Sequence, residues 1–159
     1  MKCALIPARG GSKRVKRKNI RQFAGKPLLS YSIIAAQKAG IFERVYVSTE
    51  DKEIADVAGE YGASVLCRPG NLAADEIGTQ EVAGYHLKML RETPDFCCVV
   101  YATCPLLTPQ DLKDSFKLLK RDYVVTEGWL YWGRPYWFIH GKPLTESVKY
   151  DVGERWIDI

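Results

Sequence analysis

A basic, glycine-containing segment follows the first apolar run of the chain, residues 4–6. The run breaks at Pro7, and the segment after it contains no acidic residue. Its polar side chains are Arg9, Ser12, Lys13, Arg14, Lys16, Arg17 and Lys18. In α/β proteins, a glycine-rich loop after a strand presents backbone N–H groups and cations to phosphate oxygens. The segment therefore predicts a loop that binds a polyphosphate.

The loop matches neither of the two best-known nucleotide motifs. Residues 9–13, Arg-Gly-Gly-Ser-Lys, lack the spacing of a Walker A motif and that of a GxGxxG dinucleotide turn. The alternative interpretation is a solvated basic turn, and we interpret Arg14, Lys16 and Arg17 as surface charge. The position of the loop directly after a strand, with Lys18 and Asn19 following, favours phosphate binding.

Positive charge is concentrated at the start of the chain. The net charge is +4, and ten Lys or Arg residues precede the first acid, Glu43. Such a patch could bind nucleic acid, an anionic membrane surface or a small anionic ligand. Nucleic-acid-binding domains usually spread basic residues over a face and interleave aromatic residues. Because the cations here occupy one glycine loop, we expect a compact phosphate ligand and no nucleic acid.

Length and composition indicate one soluble domain. The chain has 159 residues, of which 47% are hydrophobic, and no apolar run approaches the roughly 20 residues of a membrane span. Residues 1–3 lead directly into the first strand, so we expect neither a signal peptide nor membrane attachment. The five cysteines show no CxxC spacing, which favours reduced thiols and a cytoplasmic location.

Strand and helix patterns alternate along the chain. Strands are predicted at 4–6, 45–48, 64–67, 96–101 and 122–126, with a last one near 156–159. The first helix is predicted to open with Pro27 in its first turn and to end at Gly40. Asp51, Thr79 and Thr108 are predicted to cap the next three helices, and the helix after Asp51 is predicted to end at Gly62. Four consecutive βα units predict a three-layer, Rossmann-like α/β fold with a mostly parallel sheet. The aromatic residues between 129 and 138 are expected in the core or on a dimer surface.

The predicted topology places the ligand at one edge of the sheet. In open α/β sheets, ligands bind beyond the carboxyl ends of the strands. The corresponding loops are 7–19, 48–51, 68–79 and 102–108, and all of them carry polar residues. The last of these loops contains Thr103 and Cys104. We expect a structural role for Cys104, and a packed position for His86 on the inward face of its helix.

Several of these segments, in order, resemble the acylneuraminate cytidylyltransferases. The resemblance begins with Ile-Pro-Ala-Arg-Gly-Gly-Ser-Lys at 6–13, Lys-Asn-Ile at 18–20 and Gly-Lys-Pro-Leu at 25–28. It continues with Val-Ser-Thr-Glu-Asp at 47–51, Arg-Pro at 68–69, Leu-Ala-Ala-Asp at 72–75, and Thr79. The stretch 97–105 and Tyr-Trp-Gly-Arg at 131–134 are similar to the pseudaminic acid branch of that family. The resemblance covers nearly the whole chain.

The resemblance implies a nucleotide-diphospho-sugar transferase fold, an enzyme that transfers CMP from CTP to an acidic nonulosonic sugar, and a homodimer. By resemblance, Arg9, Lys13 and Lys18 would be the catalytic cations around the triphosphate. The implied nucleotide-binding residues are Gly10, Gly11, Ser12, Asn19, Arg68, Asp75, Thr79 and Thr103. Of these, Asn19 would read the cytosine ring, and Arg68, Asp75 and Thr79 would line the base and ribose side. Asp158 would bind Mg²⁺, which prefers carboxylate and phosphate oxygens.

The chain departs from the family in its last third. Only residues 127–130 separate the predicted strand 122–126 from the Tyr-Trp-Gly motif, where the family has a long segment. The family's metal-binding pair of aspartates is represented by Asp158 alone. We therefore expect one domain, with a nucleotide-binding part at 1–126 and a shortened acceptor and dimerisation part at 127–159. A binding module without chemistry, or one that needs a partner chain, is the alternative. The sugar stays open among pseudaminic, sialic, legionaminic and shorter ketosugar acids.

Overall fold

The computed structural model describes residues 1–117 and, beyond them, the backbone of four short strands. The strands are β1 (Lys2–Pro7), β2 (Gln22–Phe23), β3 (Lys26–Pro27), β4 (Arg44–Thr49), β5 (Ser64–Cys67), β6 (Phe96–Val99), β7 (Tyr136–Ile139), β8 (Lys142–Pro143), β9 (Tyr150–Asp151) and β10 (Trp156–Ile157). The helices are α1 (Leu28–Ala39), α2 (Lys52–Glu60), α3 (Thr79–Met89) and α4 (Pro109–Lys117). Single 3₁₀ turns lie at Lys18–Ile20 and Gly70–Ala73.

The main sheet has the order β5-β4-β1-β6-β7-β8. Its first four strands are parallel, while β7 pairs antiparallel with β6 and β8 pairs antiparallel with β7. The mostly parallel sheet predicted from the βα repeats is confirmed. From β1 the chain adds β4 on one side and β6 on the other, so the strand order reverses at β1. That reversal opens a crevice at the carboxyl end of β1, where open α/β sheets bind ligands.

Strand β1 lies in the middle of the molecule and packs on both faces. Ala4 and Ile6 face a core cluster that includes residues of α1, α2 and α4. Cys3 and Leu5 face the opposite cluster, which includes Ala83 of α3. Alternation of side chains along a strand produces this division, and helices on both faces make the three layers that the sequence predicts.

Three helix boundaries follow the predicted capping residues. Helix α1 ends at Gly40, whose φ of 64° is the left-handed conformation that glycine adopts readily. The Asp51 carboxylate accepts a hydrogen bond from Ile54 N–H at 3.1 Å and so caps α2. Thr108 Oγ1 accepts from Asp111 N–H at 3.1 Å at the start of α4. These caps are local signals and therefore readable from sequence.

The prediction that Thr79 caps α3 is wrong by one residue. Gly78 occupies the cap, and its N–H donates to the Glu81 carboxylate at 3.4 Å. Because an acid at the third helical position can bond the cap backbone by itself, no hydroxyl is needed at the cap. Thr79 is the first helical residue and lines the cavity described below.

Some predictions fall on residues outside the described part of the chain. These are the strand at 122–126, the aromatic residues of 129–135 and Asp158. Strand β7 carries the backbone of residues 136–139, and β10 lies where the last strand is predicted, paired antiparallel with β9. Strand β6 ends at Val99, two residues before the predicted end of that apolar run. Among the described residues, no helix has the length and apolarity to cross a membrane.

Candidate functional site

A cavity of about 260 Å³ lies at the carboxyl edge of the parallel strands. It is lined by residues that follow β1, β5 and β6 and by the first turn of α3. Eight residues singled out from the sequence line it: Arg9, Ser12, Lys18, Asn19, Arg68, Asp75, Thr79 and Thr103. Residues up to 94 positions apart in sequence thus meet in one place, as the strand-end argument predicts.

Three other predicted residues lie beside this cavity or away from its wall. Lys13 pairs with the carboxylate of Asp75 while its own side chain is 81% exposed. Gly10 and Gly11 are not among the lining residues. Gly10 N–H donates to Glu50 Oε1 at 2.7 Å, so this amide is already occupied. Ser12 N–H donates to the Gly10 carbonyl at 2.9 Å, so within residues 1–117 the Gly11 amide is the one of residues 10–12 that has no protein acceptor.

The basic loop contacts the 68–79 segment through Asp75. Arg9 Nη2 lies 2.6 Å from Asp75 Oδ1, and Lys13 pairs with Oδ2 of the same carboxylate. Arg9 Nη1 also donates to the Ala73 carbonyl at 3.2 Å. Hydrogen bonds from Lys13 and Arg9 hold the pKa of Asp75 below its usual range. Two of the cations predicted to bind phosphate therefore share one carboxylate. An anionic ligand would either replace the Asp75 carboxylate as their partner or bind beside it.

Arg17 corrects an interpretation made from sequence. It is not a freely solvated surface charge, because Nη1 and Nη2 contact the Asp51 carboxylate at 2.5 Å and 2.9 Å. Nη2 also donates to Glu53 Oε2 at 2.8 Å. The backbone of Arg17 is left-handed, with φ 56°. The interpretation from sequence was wrong because it did not include the pairing of Arg17 with the two acids at the start of α2. No local sequence pattern connects those acids to Arg17.

Asn19 ties the basic loop to the strand that precedes it. It is buried, and Nδ2 donates to the Arg9 carbonyl at 2.8 Å. An Asn side chain has two N–H donors and one carbonyl acceptor. One donor is thus used within the protein, and the acceptor is available to a ligand in the cavity that Asn19 lines.

Arg68 is the most buried cation of the site, with 5% of its surface exposed. Its Nε donates to Ser48 Oγ at 3.0 Å and its Nη2 to the Ser48 carbonyl at 2.8 Å. Burial lowers the pKa of Arg68, and within residues 1–117 no carboxylate lies within ion-pair distance of it. The charge of nearby Glu50 opposes this lowering in part. A buried guanidinium without a close ion pair is costly unless further anionic charge compensates it.

Sequence reasoning placed His86 in the core but missed its partners. Its Nε2 lies 2.8 Å from Ser48 Oγ, and the residue is 3% exposed. Burial and the nearby Arg68 lower the pKa of His86 to about 4, so the ring is neutral at physiological pH. Cys104, also predicted to be structural, is buried, and burial raises the pKa of its thiol to about 12.

The described residues do not by themselves build a magnesium site. No group of three His, Cys, Asp or Glu side chains in this part of the chain could hold a metal ion. The acid that lines the cavity, Asp75, is neutralised by Arg9 and Lys13. Asp158 lies outside the described residues, so its role toward Mg²⁺ stays a prediction.

The fold and the cavity define an α/β protein with a crevice lined by basic and polar residues at the switch point of its sheet. The family model described as cytidylyltransferase matches residues 3–149. The chain therefore belongs to the cytidylyltransferase family, as its motifs indicate.

Two curated relatives illustrate the similarity. The chain is 44% identical over 117 residues to pseudaminic acid cytidylyltransferase of Campylobacter jejuni subsp. jejuni serotype O:2, covering 71% of this chain and 50% of the relative. It is 53% identical over 124 residues to CMP-N,N'-diacetyllegionaminic acid synthase of Legionella pneumophila subsp. pneumophila, covering 74% and 52%. The chain spans about half the length of these relatives.

A solved structure supports the fold assignment. The structure of CMP:2-keto-3-deoxy-manno-octonic acid synthetase complexed with CTP superposes with a TM-score of 0.65 at 19% identity, covering 73% of this chain and 46% of that one. At this identity the match shows the fold, and it confirms the α/β nucleotidyltransferase architecture.

Proposed function

We propose that this chain binds CTP in the cavity at the carboxyl edge of the sheet and transfers CMP to an acidic nonulosonic sugar. The observation that carries the proposal is the convergence of Arg9, Lys18 and the buried Arg68 on one cavity, from the loops after β1 and β5. A cavity of this charge suits a polyphosphate, and membership of the cytidylyltransferase family indicates which nucleotide.

In the proposed complex, the triphosphate lies against the basic loop. Arg9, Lys13 and Lys18 supply the positive charge, and the Gly11 N–H and the Ser12 hydroxyl supply neutral donors. Gly10 contributes indirectly, because its N–H is held by Glu50 and fixes the start of the loop. Phosphoryl transfer gathers charge on phosphate oxygens, so most of the catalysis is positioning and electrostatic stabilisation.

The nucleoside is assigned to the uncharged lining residues. Asn19 would use its free amide oxygen and remaining N–H toward the cytosine edge, which presents both donors and acceptors. Thr79 and Thr103 supply hydroxyls, and Tyr101 supplies an aromatic surface among the lining residues. Arg68 would contribute the buried positive charge between the nucleoside and the phosphates.

The proposed chemistry is an in-line displacement at the α-phosphorus of CTP. A hydroxyl oxygen of the sugar forms a bond to phosphorus, and the bond from phosphorus to the bridging oxygen breaks. Pyrophosphate leaves with that electron pair, and the hydroxyl proton passes to solvent. Mg²⁺, with Asp158 as one carboxylate ligand, is the cofactor we propose for neutralising phosphate charge.

The names of the relatives support an acidic nine-carbon sugar as acceptor, and two of the candidate sugars appear among them. The share of the relatives that the chain covers, about half, is the ground for a second hypothesis. A chain that spans half of its relatives could bind CTP and require a partner chain, or the rest of a longer protein, for transfer.

Pyrophosphate release is the decisive test. Purified protein would be assayed with CTP and Mg²⁺, with and without pseudaminic, sialic and legionaminic acids, beside ATP, GTP and UTP as nucleotide controls. Release that needs CTP and one sugar together supports the enzyme and names its substrate. Stabilisation by CTP without release supports the binding module, since a ligand that binds the native state raises its stability. Absence of both overturns the proposal.

Arg9→Ala gives the residue-level test, with Arg44→Ala as its control. Arg44 is exposed and lies at the amino end of β4, away from the cavity. Loss of CTP binding in Arg9→Ala alone, with both variants folded, supports the loop assignment. Normal CTP binding by Arg9→Ala overturns it.

A further inference from the structure

A chain of three buried polar side chains lies beneath the cavity. Arg68 follows β5, Ser48 lies on β4 and His86 lies on α3, and the exposed fractions are 5%, 0% and 3%. Two hydrogen bonds connect them through the Ser48 hydroxyl, at 3.0 Å to Arg68 Nε and 2.8 Å to His86 Nε2. Arg68 reaches the cavity wall, whereas Ser48 and His86 do not line it.

The protons of this chain can be assigned from donor and acceptor chemistry. An arginine Nε carries one hydrogen and cannot accept, so Ser48 Oγ is the acceptor of that bond. The hydroxyl hydrogen of Ser48 is then directed to His86 Nε2, the other atom within hydrogen-bond distance of Oγ among the described residues. A hydroxyl oxygen could accept a second bond from a protonated Nε2, but the buried hydroxyl hydrogen would then have no acceptor among the described residues. We therefore assign His86 Nε2 as the unprotonated nitrogen, with the ring proton on Nδ1.

The bonds also restrict which part of Arg68 can meet a ligand. Nε and Nη2 are held by the Ser48 hydroxyl and carbonyl. Nη1 has no hydrogen-bond partner within residues 1–117 and is left for the cavity. A long, flexible side chain would otherwise lose rotamer entropy on binding a ligand. Ser48 fixes the guanidinium before the ligand arrives, which is the benefit of pre-organisation.

We propose that Ser48 and His86 are positioning residues of the nucleotide site, which hold Arg68 in place through two consecutive hydrogen bonds. Arg68 Nε–H donates to Ser48 Oγ, and the Ser48 hydroxyl donates to His86 Nε2; we call this pair of hydrogen bonds the relay. The inference rests on the proposed function for its effect on CTP binding. The relay itself is a property of the free protein and can be measured without nucleotide.

The free protein is tested first, by ¹⁵N NMR. The chain has two histidines, so His86 is assigned by comparison with His86→Gln. We expect an unprotonated Nε2 and a protonated Nδ1, and an Arg68 Nε–H resonance that exchanges slowly with water, assigned with Arg68→Lys. A protonated Nε2 at neutral pH, or an Arg68 Nε–H that exchanges as fast as those of exposed arginines, overturns the relay.

Three variants then test positioning. Ser48→Ala removes the central hydroxyl, and His86→Leu removes its acceptor. His86→Gln restores an acceptor, because the amide oxygen can replace Nε2. Ser115→Ala is the matched control, since Ser115 is also buried and its hydroxyl bonds the Leu112 carbonyl within α4. For each folded variant, the Kd for CTP is measured by calorimetry.

We expect the Kd for CTP to rise about tenfold in Ser48→Ala and His86→Leu, equivalent to about 1.4 kcal/mol. His86→Gln and Ser115→Ala should bind nearly as wild type. Equal affinity in all folded variants overturns positioning, even if all of them are less stable. If Ser48→Ala does not fold, the comparison of His86→Leu with His86→Gln decides.

The experiments distinguish failure of the proposed function from failure of the relay. Wild-type protein that binds no CTP contradicts that function, while the Arg68 resonance still decides the relay. If the Arg68 Nε–H exchanges slowly with water in wild type and in His86→Gln but rapidly in His86→Leu, the positioning of Arg68 by His86 is supported. An unchanged resonance in His86→Leu overturns it.

Discussion

The Cα of Gly10 packs directly against the carboxylate of Asp51. A Cβ built on Gly10 would lie 2.9 Å from Asp51 Cγ and closer still to Oδ2. Gly10 does not have a positive φ, so the glycine is required here by close approach and not by backbone conformation. The same carboxylate caps α2 and pairs with Arg17, which prevents it from moving aside. The amino end of α2 therefore determines where the basic loop lies.

Gly10→Ala should destabilise the protein and displace the loop. Overpacking against a fixed group costs about 1–3 kcal/mol. We expect a loss of that size in the free energy of unfolding, measured by chemical denaturation, together with weaker CTP binding. Gly11→Ala is the control for stability, because a Cβ on Gly11 meets no atom within 4 Å. Equal stability of the two alanine variants would contradict the packing argument.

Asp51→Asn should lower stability at neutral pH and lose its effect in acid. Hydrogen bonds from Arg17 hold the pKa of Asp51 below its usual range. A carboxyl with a lowered folded-state pKa contributes stability above its unfolded pKa of about 3.9, and loses it as pH falls through the folded value. Asn keeps the cap on α2, so the substitution tests the charge.

We expect the two proteins to differ by about 1–3 kcal/mol in unfolding free energy from pH 5 to pH 8, and to converge below pH 4. Urea denaturation at each pH measures this difference, and protonation of His86 cancels because both proteins contain it. Asp56→Asn is the control, since Asp56 makes an exposed pair with Lys52 at 3.2 Å. A difference that persists undiminished at pH 2 would refute the role of the Asp51 charge.

Much of the architecture could be predicted because its signals are local. Gly40 and Asp51 mark helix ends through their own chemistry, and the apolar run after residue 95 marks a buried strand. The contacts of the site are different. Arg17 and Asp51 are 34 positions apart, and Arg9 and Asp75 are 66 apart. No spacing rule pairs such residues, so the sequence identified which loops carry the site but not which side chains neutralise one another.

The thiols should divide into one reactive and four protected groups. Cys67 is exposed, whereas Cys3, Cys97, Cys98 and Cys104 are buried. Burial removes access to reagents and raises the pKa of Cys98 and Cys104, which suppresses the reactive thiolate. A chromogenic disulfide reagent at pH 8 should titrate one thiol quickly in native protein and five in denaturant. Cys67→Ser should abolish the fast phase, and a fast phase that survives this substitution would contradict the assignment.

Asp75→Asn should strengthen the binding of a polyphosphate. The Asp75 carboxylate occupies Arg9 and Lys13 in the free protein, and it would repel a bound triphosphate. Because the pair is partly exposed and screened by solvent, we expect the effect on affinity to be modest, about fivefold at most. We expect Kd to fall by that factor for pyrophosphate, a probe without base or ribose, when it is measured by calorimetry at low salt.

Pyrophosphate and CTP together separate the two roles that Asp75 could have. If Asp75 only competes for the cations, Asp75→Asn tightens both ligands equally. If it also contacts the ribose, as the resemblance implies, CTP gains less than pyrophosphate, because the amide replaces one acceptor oxygen with a donor. Asp114→Asn is the control, since Asp114 pairs with Lys117 on α4. Weaker pyrophosphate binding in Asp75→Asn would show that the carboxylate orders the cations and does not compete for them.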